Sequence, residues 1–276
     1  MKDASAALRE ALSKLRREQA ARAAAAPALE SGGGHSPVER WLSGREIECG
    51  AGRCYLHQRL HSSVEPAAEK RAQFREVAAR LAALEAEGAH RDLVAAARLT
   101  LDRSVVLDLE TTGFASTPVF LAGCLLPQED DFLVMQYFAR DYSEERALVA
   151  AVAERLADAQ VLITYNGKSY DLPLLRDRAA LHGLRVPEPA LHLDLLHHAR
   201  RRYRGRLPDC RLITLEASRL GRHRFQDVHG SEIPRLYHDF VRSGDFTPLL
   251  PVFHHNIFDL LTLSSLVGDL LLSEST

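Results

Sequence analysis

Ser104-Val105-Val106-Leu107-Asp108-Leu109-Glu110, followed by Thr111-Thr112-Gly113, joins an apolar strand to two acids spaced two residues apart. Side chains at i and i+2 of a strand share a face, so Asp108 and Glu110 project together while Leu107 and Leu109 point to the opposite, buried side. Two carboxylates on one face at a strand end repel each other. A divalent cation relieves that repulsion, and hard oxygen donors suit Mg²⁺ or Mn²⁺. Thr111-Thr112-Gly113 reads as a turn where backbone approaches a ligand closely, which makes these three residues candidates for substrate binding. Asp-x-Glu alone is also how a strand ending in solvated acids looks, so its meaning depends on the surroundings.

Downstream, 118–126 and 131–139 read as strands, and 143–158 as a helix with Ser143 as N-cap. A short buried strand follows at 161–165, then an Asn166-Gly167 turn, a helix after Lys168, and a strand ending near Asp194. From there to the C-terminus the pattern is mostly helical. Strands in hairpin spacing followed by strand–helix alternation predict an α/β fold, a mixed five-stranded sheet flanked by helices. Upstream, 45–62 reads as two short strands around Gly50 and Gly52, and 65–99 has a helical rhythm. Residues 31–37, SGGGHSP, form a flexible break, and residues 1–28 read as a surface helix with a thin stripe of Leu8, Leu12 and Leu15. That helix is either a solvated one or a docking element for a protein partner. The expected organisation is a partly helical tail over 1–36, a hairpin and helical lead-in over 37–100, and the α/β domain over 101–276.

Further acids follow the first pair. Asp171, in Asn166-Gly167-Lys168-Ser169-Tyr170-Asp171-Leu172-Pro173, falls near a helix start, where the dipole favours negative charge; it is equally an ordinary first-turn acid. Asp259 stands within the Leu-rich stretch that begins His254-His255-Asn256-Ile257-Phe258, where an acid needs a partner. Were the helix to include this segment, His255 would share a face with Asp259, about 40° away, while His254 would lie about 140° away. Pro251 leaves room for a later start, with His254 swinging in from a loop.

These stretches in this order resemble the DEDD exonuclease superfamily: Asp-x-Glu on a first strand, Asn-x₄-Asp next, and a His closely followed by Asp on a C-terminal helix. LDLETTG, YNGKSYDLPLL, LDLLHHARR, DVHGSEIPRLYHDFV and HNIFDLLTL are similar to the YprB-type ribonuclease H-like domain. The likeness covers about residues 100–270, with the 45–100 lead-in a plausible addition. It implies a metal-dependent 3′→5′ exonuclease of RNase H-like fold that hydrolyses DNA or RNA by a two-metal mechanism. The implied metal ligands are Asp108, Glu110, Asp171 and Asp259, with Asp108 bridging two divalent cations. His255 would serve the attacking water, although His254 sits at the spacing of the histidine subtype and His255 at that of the tyrosine subtype, so the base stays open between them. A non-catalytic nucleic-acid-binding or scaffold domain on the same fold is the rival reading.

Asn166 and Lys168 join the expected substrate contacts. So do Arg200 and Arg201, from a cluster that continues through Arg202, Arg204, Arg206 and Arg211 and is either a solvated face or a phosphate-binding patch. Asp194 could add a fifth acid or pair with these arginines. Cys49, Cys54, His57 and His61 can be drawn as a zinc site, but the glycines between the cysteines favour a hairpin. Asp227 to Glu232 reads as a loop and helix start, capped by Ser231.

Composition sets outer bounds. The 276 residues are 46% hydrophobic with net charge −2, so nucleic-acid binding would need a local basic patch rather than a global field. Four cysteines do not frame a disulfide-built fold, the N-terminus lacks an apolar secretory core, and no apolar run approaches membrane-span length. A cytoplasmic protein is expected.

Overall fold

Strand β3 (Ser104–Thr111) lies at the heart of one sheet in the computed structural model, which describes residues 38–65, 101–113, 117–224 and 227–272 together with Glu76, Asp92 and Ala95. It pairs antiparallel with β4 (Val119–Gln128), which pairs with β5 (Asp131–Phe138). On its other side β3 runs parallel to β6 (Val161–Thr164), and β6 runs parallel to β7 (Leu191–Asp194). These are the five expected strands. The lead-in hairpin, β1 (Gly44–Cys49) and β2 (Gly52–Leu60), adds two more by pairing β2 with β5, for an order β1-β2-β5-β4-β3-β6-β7. The mixed sheet therefore has seven strands. The helical readings of 1–28 and most of 65–99, the break at 31–37, and the docking role of the N-terminal helix lie outside the described residues.

The strand is buried on both faces because its odd and even positions feed different cores. Val105 and Leu107, with Leu109 beside them, pack among Leu148, Val152 and Leu175 of helices α1 (Glu145–Ala157) and α2 (Asp171–Leu181). Val106 packs on the other face with Ile163, Leu193 and the apolar stripe of a long C-terminal helix. After α3 (Leu195–Tyr203), the short α4 (Leu212–Leu215) continues as a π-turn over Glu216–Leu220, and α5 (Ile233–Ser243) precedes the long helix α6 (Leu250–Leu272). Each leucine buried in such a core contributes about 1.5–3 kcal/mol, which is why α6, with Leu260, Leu261, Leu263, Leu266 and Leu270 buried, can carry polar groups on one side. The alternation that sends Val106 toward α6 sends Asp108 and Glu110 the same way.

Two expected caps are replaced. Asp141, not Ser143, accepts the N–H of Ser143 (2.8 Å) at the entry to the α1 segment. Ser231 does not cap α5 either: the N-cap is Glu232, without a side-chain bond, and the Ser231 hydroxyl meets His229 Nδ1 at 2.7 Å. The cysteine–histidine set forms no zinc site. Cys54 is buried in the hairpin with its thiol pushed up to about 12 by burial, and Cys49 Sγ turns to Ala147 O. His61 bonds Glu65 instead.

Candidate active site

The carboxyl ends of the parallel strands β3, β6 and β7 open at one edge, and the predicted acids gather there. Asp108 and Glu110 end β3, across from Gly123 and Leu121 of β4, with the register slipping between Glu110 and Thr111. Asp171 opens α2, two turns of chain beyond β6. All three line a cleft of about 700 Å³, together with Thr111, Gly113, Asn166 and Tyr170 on one side and Gly230, Ser231 and Pro234 on the other.

Local hydrogen bonds hold Asp108 and Asp171. Asn256 on α6 donates Nδ2 to Asp108 Oδ2 (2.7 Å) and to its carbonyl oxygen (3.2 Å). Asn256 is itself fully buried and accepts from Gln136 Nε2 at 2.9 Å. A Cβ on Gly123 would stand 2.2 Å from Asn256 Oδ1, so only glycine lets α6 reach the sheet here. Asp171 accepts from Leu109 N–H at 3.2 Å. The turn before it is tied down by Asp194, whose carboxylate accepts from Asn166 N (2.8 Å) and Lys168 N (3.0 Å) while also capping α3 through Leu196 N (3.1 Å). Asn166 takes a left-handed conformation (φ 66°), as the turn requires. Asp194 is thus the anchor of the Asp171 loop rather than a fifth acid of the cleft.

Asp259 lies on α6 and takes a different partner. Arg224 bonds its Oδ1, clasps Glu216 through Nε and Nη2 (2.7 and 2.6 Å), and reaches Asp227 Oδ2 (2.9 Å). Glu216 also accepts the Thr262 hydroxyl at 2.6 Å. His255 Nε2 lies 3.6 Å from Asp259 Oδ2. Helix α6 begins at Leu250, so Pro251 sits in its first turn and both histidines are helical. His255 turns toward Asp259 and His254 is buried; neither histidine, nor Asp259, is among the residues that line the cleft.

Burial and mutual repulsion mark the cluster. Burial pushes Asp108 well above the usual carboxylate range, and Asp259, Glu110 and Asp171 add to the shift. Burial likewise takes Glu110 up to about 8, against the pull of His255, and Asp171 up to about 7. His255 rises to about 9: burial opposes its charge, but Asp227, Asp259 and Glu110 outweigh it. The donor set, oxygen atoms of closely spaced acids in a low-dielectric wall, suits a hard divalent cation. Among the described residues, however, no three such side chains already close around a common point; Asp259 is held by Arg224.

The other expected contacts divide. Thr111, Gly113 and Asn166 border the cleft; Thr112, Lys168, Arg200 and Arg201 do not. Lys168 Nζ faces Asp92 at 3.6 Å. Arg200 and Arg201 sit late on α3, and Arg200's carbonyl ends that helix by accepting from Arg204 N–H. Sequence reasoning missed Asn256 and Glu216, and it read Arg224 only as part of the run of arginines weighed for phosphate binding rather than as the partner of Asp259. The signal for Asn256 was present: it lies three residues before Asp259 and so shares its helix face.

The chain belongs to the RNase_H superfamily, whose model matches residues 105–271. That span contains all four acids. Over 176 residues the chain is 36% identical to a protein of Bacillus subtilis (strain 168) described as uncharacterized protein YprB, and the match takes in 61% of this chain and 42% of that protein. The chain therefore spans less than half the length of this relative, and its likeness to a YprB-type ribonuclease H-like domain holds. Membership of the superfamily suggests nuclease-type activity on nucleic acid. No helix among the described residues is long and apolar enough to cross a membrane.

Proposed function

We propose that the chain is a metal-dependent 3′→5′ exonuclease of the DEDD type, acting on DNA or RNA. The observation that carries this reading is the lining of one cleft by Asp108, Glu110 and Asp171, one buried and two half-buried acids whose charge is disfavoured as they stand. Their raised values are what a site built for added positive charge has before that charge arrives. Asp108, Glu110, Asp171 and Asp259 would hold the Mg²⁺ or Mn²⁺. Bound there, two such ions supply Lewis acidity to the attacking water and the leaving oxygen.

The chain's own groups do the positioning. Asn256 fixes the rotamer of Asp108, and the Leu109 N–H fixes that of Asp171. His255 presents Nε2 on the Asp259 side, where it can orient water and, in its neutral form, take a proton from it. Thr111, Gly113, Asn166 and the exposed ring of Tyr170 line the space for a terminal nucleotide. The functional unit on this reading is residues 101–276. Its cysteines are free, which fits a reducing cytoplasm.

A second reading, a domain that binds nucleic acid without cutting it, draws on the Arg224–Asp259 pair, which gives the fourth acid a protein counter-ion. One experiment separates the two. Oligonucleotides of DNA and RNA carrying a 5′ label are incubated with the full chain in Mn²⁺, Mg²⁺ or chelator. A metal-dependent ladder shortening from the 3′ end is expected, and Asp108→Asn should lose it. Binding without shortening would favour the non-catalytic domain, and internal cuts would replace exonuclease with endonuclease.

A further inference from the structure

We infer that Asp227 is a positioning residue for His255, holding the imidazole so that its Nε2 faces the acid cluster. The inference deepens the proposed exonuclease reading and rests on it. Asp227 belongs to the loop that leads into α5, and His255 to the second turn of α6. Both Asp227 carboxylate oxygens lie at hydrogen-bond distance from His255 Nδ1, 2.9 and 3.0 Å. The opposite ring nitrogen, Nε2, lies 3.6 Å from Asp259 Oδ2. The ring thus spans from a loop carboxylate to a candidate metal ligand.

A third neighbour tests the assignment of the ring hydrogens. Arg224 Nη1 lies 3.1 Å from the same Nδ1. One nitrogen cannot accept from a guanidinium and donate to a carboxylate at once. Arg224 Nη1 already donates to Asp227 Oδ2 at 2.9 Å, and a carboxylate only accepts. Nδ1 therefore carries hydrogen and donates to Asp227. In the neutral ring this leaves the lone pair on Nε2, the atom turned toward the acids. A carboxylate behind a histidine selects tautomer and ring orientation in the same way at many metal sites.

Arg224 makes the arrangement rigid. Its side chain is buried, its fork grips both oxygens of Glu216, and its Nη1 holds Asp227 Oδ2 beside the ring. Asp227 is thereby fixed by one partner while it fixes another. The alternative is that Asp227 serves only to anchor Arg224 and its loop. That alternative predicts the same loss whether or not His255 is present.

The test uses the full chain with Asp227→Asn and His255→Ala, singly and combined. Asparagine can turn either an N–H or a C=O to the ring and no longer dictates a donor at Nδ1. With Mn²⁺ and a 5′-labelled oligonucleotide, Asp227→Asn should lower kcat by about 10–100-fold and leave KM within about threefold. In the His255→Ala background it should change kcat by less than about twofold, since the two act as one unit. In the metal-free protein, a downfield Nδ1–H resonance should be present in wild type and missing from both single variants. An equal fall in kcat in both backgrounds overturns the inference, as does absence of the resonance from wild type. Should Asp227→Asn not fold, Asp227→Glu keeps the carboxylate and must retain both the resonance and most of kcat. A wild type that does not cleave overturns the exonuclease reading instead, and the resonance then decides on its own whether Asp227 holds the ring.

Discussion

Asp108, Glu110 and Asp171 carry a cost that the folded chain meets by retaining protons. Between their ordinary values and their raised ones, about 8 for Glu110 and about 7 for Asp171, the folded state binds more protons than the unfolded state. Stability must therefore fall as pH rises through that window. His255 acts in the same direction, because its protonated form is favoured by folding and is lost as pH rises through about 9. Asp227 acts oppositely: burial raises it, His255 and Arg224 outweigh that and lower it, and its contribution disappears only in acid. Metal-free protein should accordingly be most stable in mildly acidic solution and lose stability steadily between about pH 5 and pH 8. Urea denaturation in chelator across that range measures it. A stability that rises toward pH 8 would mean the acids are not buried together. Asp108, Glu110, Asp171 and Asp259 stood out in the sequence through their order, which resembles a known family, while spacing alone left each an ordinary strand-end or helix acid; Asp227 did not stand out, because a loop acid reads as solvated until the fold brings α6 against it.

At the scale of elements, the site depends on how closely α6 approaches β4. Gly123 pairs with Asp108 across the sheet and with Gln136 on the other side, and Asn256 fits into the space a side chain would take. Gly123→Ala should destabilise the fold by about 1–3 kcal/mol through overpacking, and it should lower activity further by displacing Asn256 from Asp108. Thermal unfolding checks the first part, and an unchanged midpoint would contradict it. The strands at 104–110, 118–126, 131–139 and 161–165 were readable from apolar runs and turn residues, as was the hairpin around Gly50 and Gly52. The pairing of that hairpin with β5 was not readable, because nothing local specifies which edge a strand joins. Cap positions failed for a similar reason. Asp141 competes with Ser143, and only backbone geometry shows which oxygen meets a free N–H. The arginines of α3 were visible as a cluster, but that Arg200 and Arg201 stay out of the cleft lining belongs to the fold.

Across the whole molecule, one sheet edge collects chain segments far apart in sequence. The β3 end, the turn after β6, the cap of α3, the loop before α5 and the first turns of α6 meet through Asp194, Asn256 and Arg224. Glu65 extends this knitting to the lead-in, since Arg222 donates to it at 2.8 Å and His61 bonds it at 2.9 Å. Arg222, Glu65 and His61 are all buried at that junction. If this convergence is a metal centre, calorimetric titration of the chelator-treated chain with Mn²⁺ detects it. Wild type should saturate at on the order of two ions per chain, with protons released as the raised acids ionise. Asp108→Asn should lose most of the binding. Wild type that takes up no Mn²⁺, or a variant that binds it undiminished, would mean that these acids do not form a metal centre.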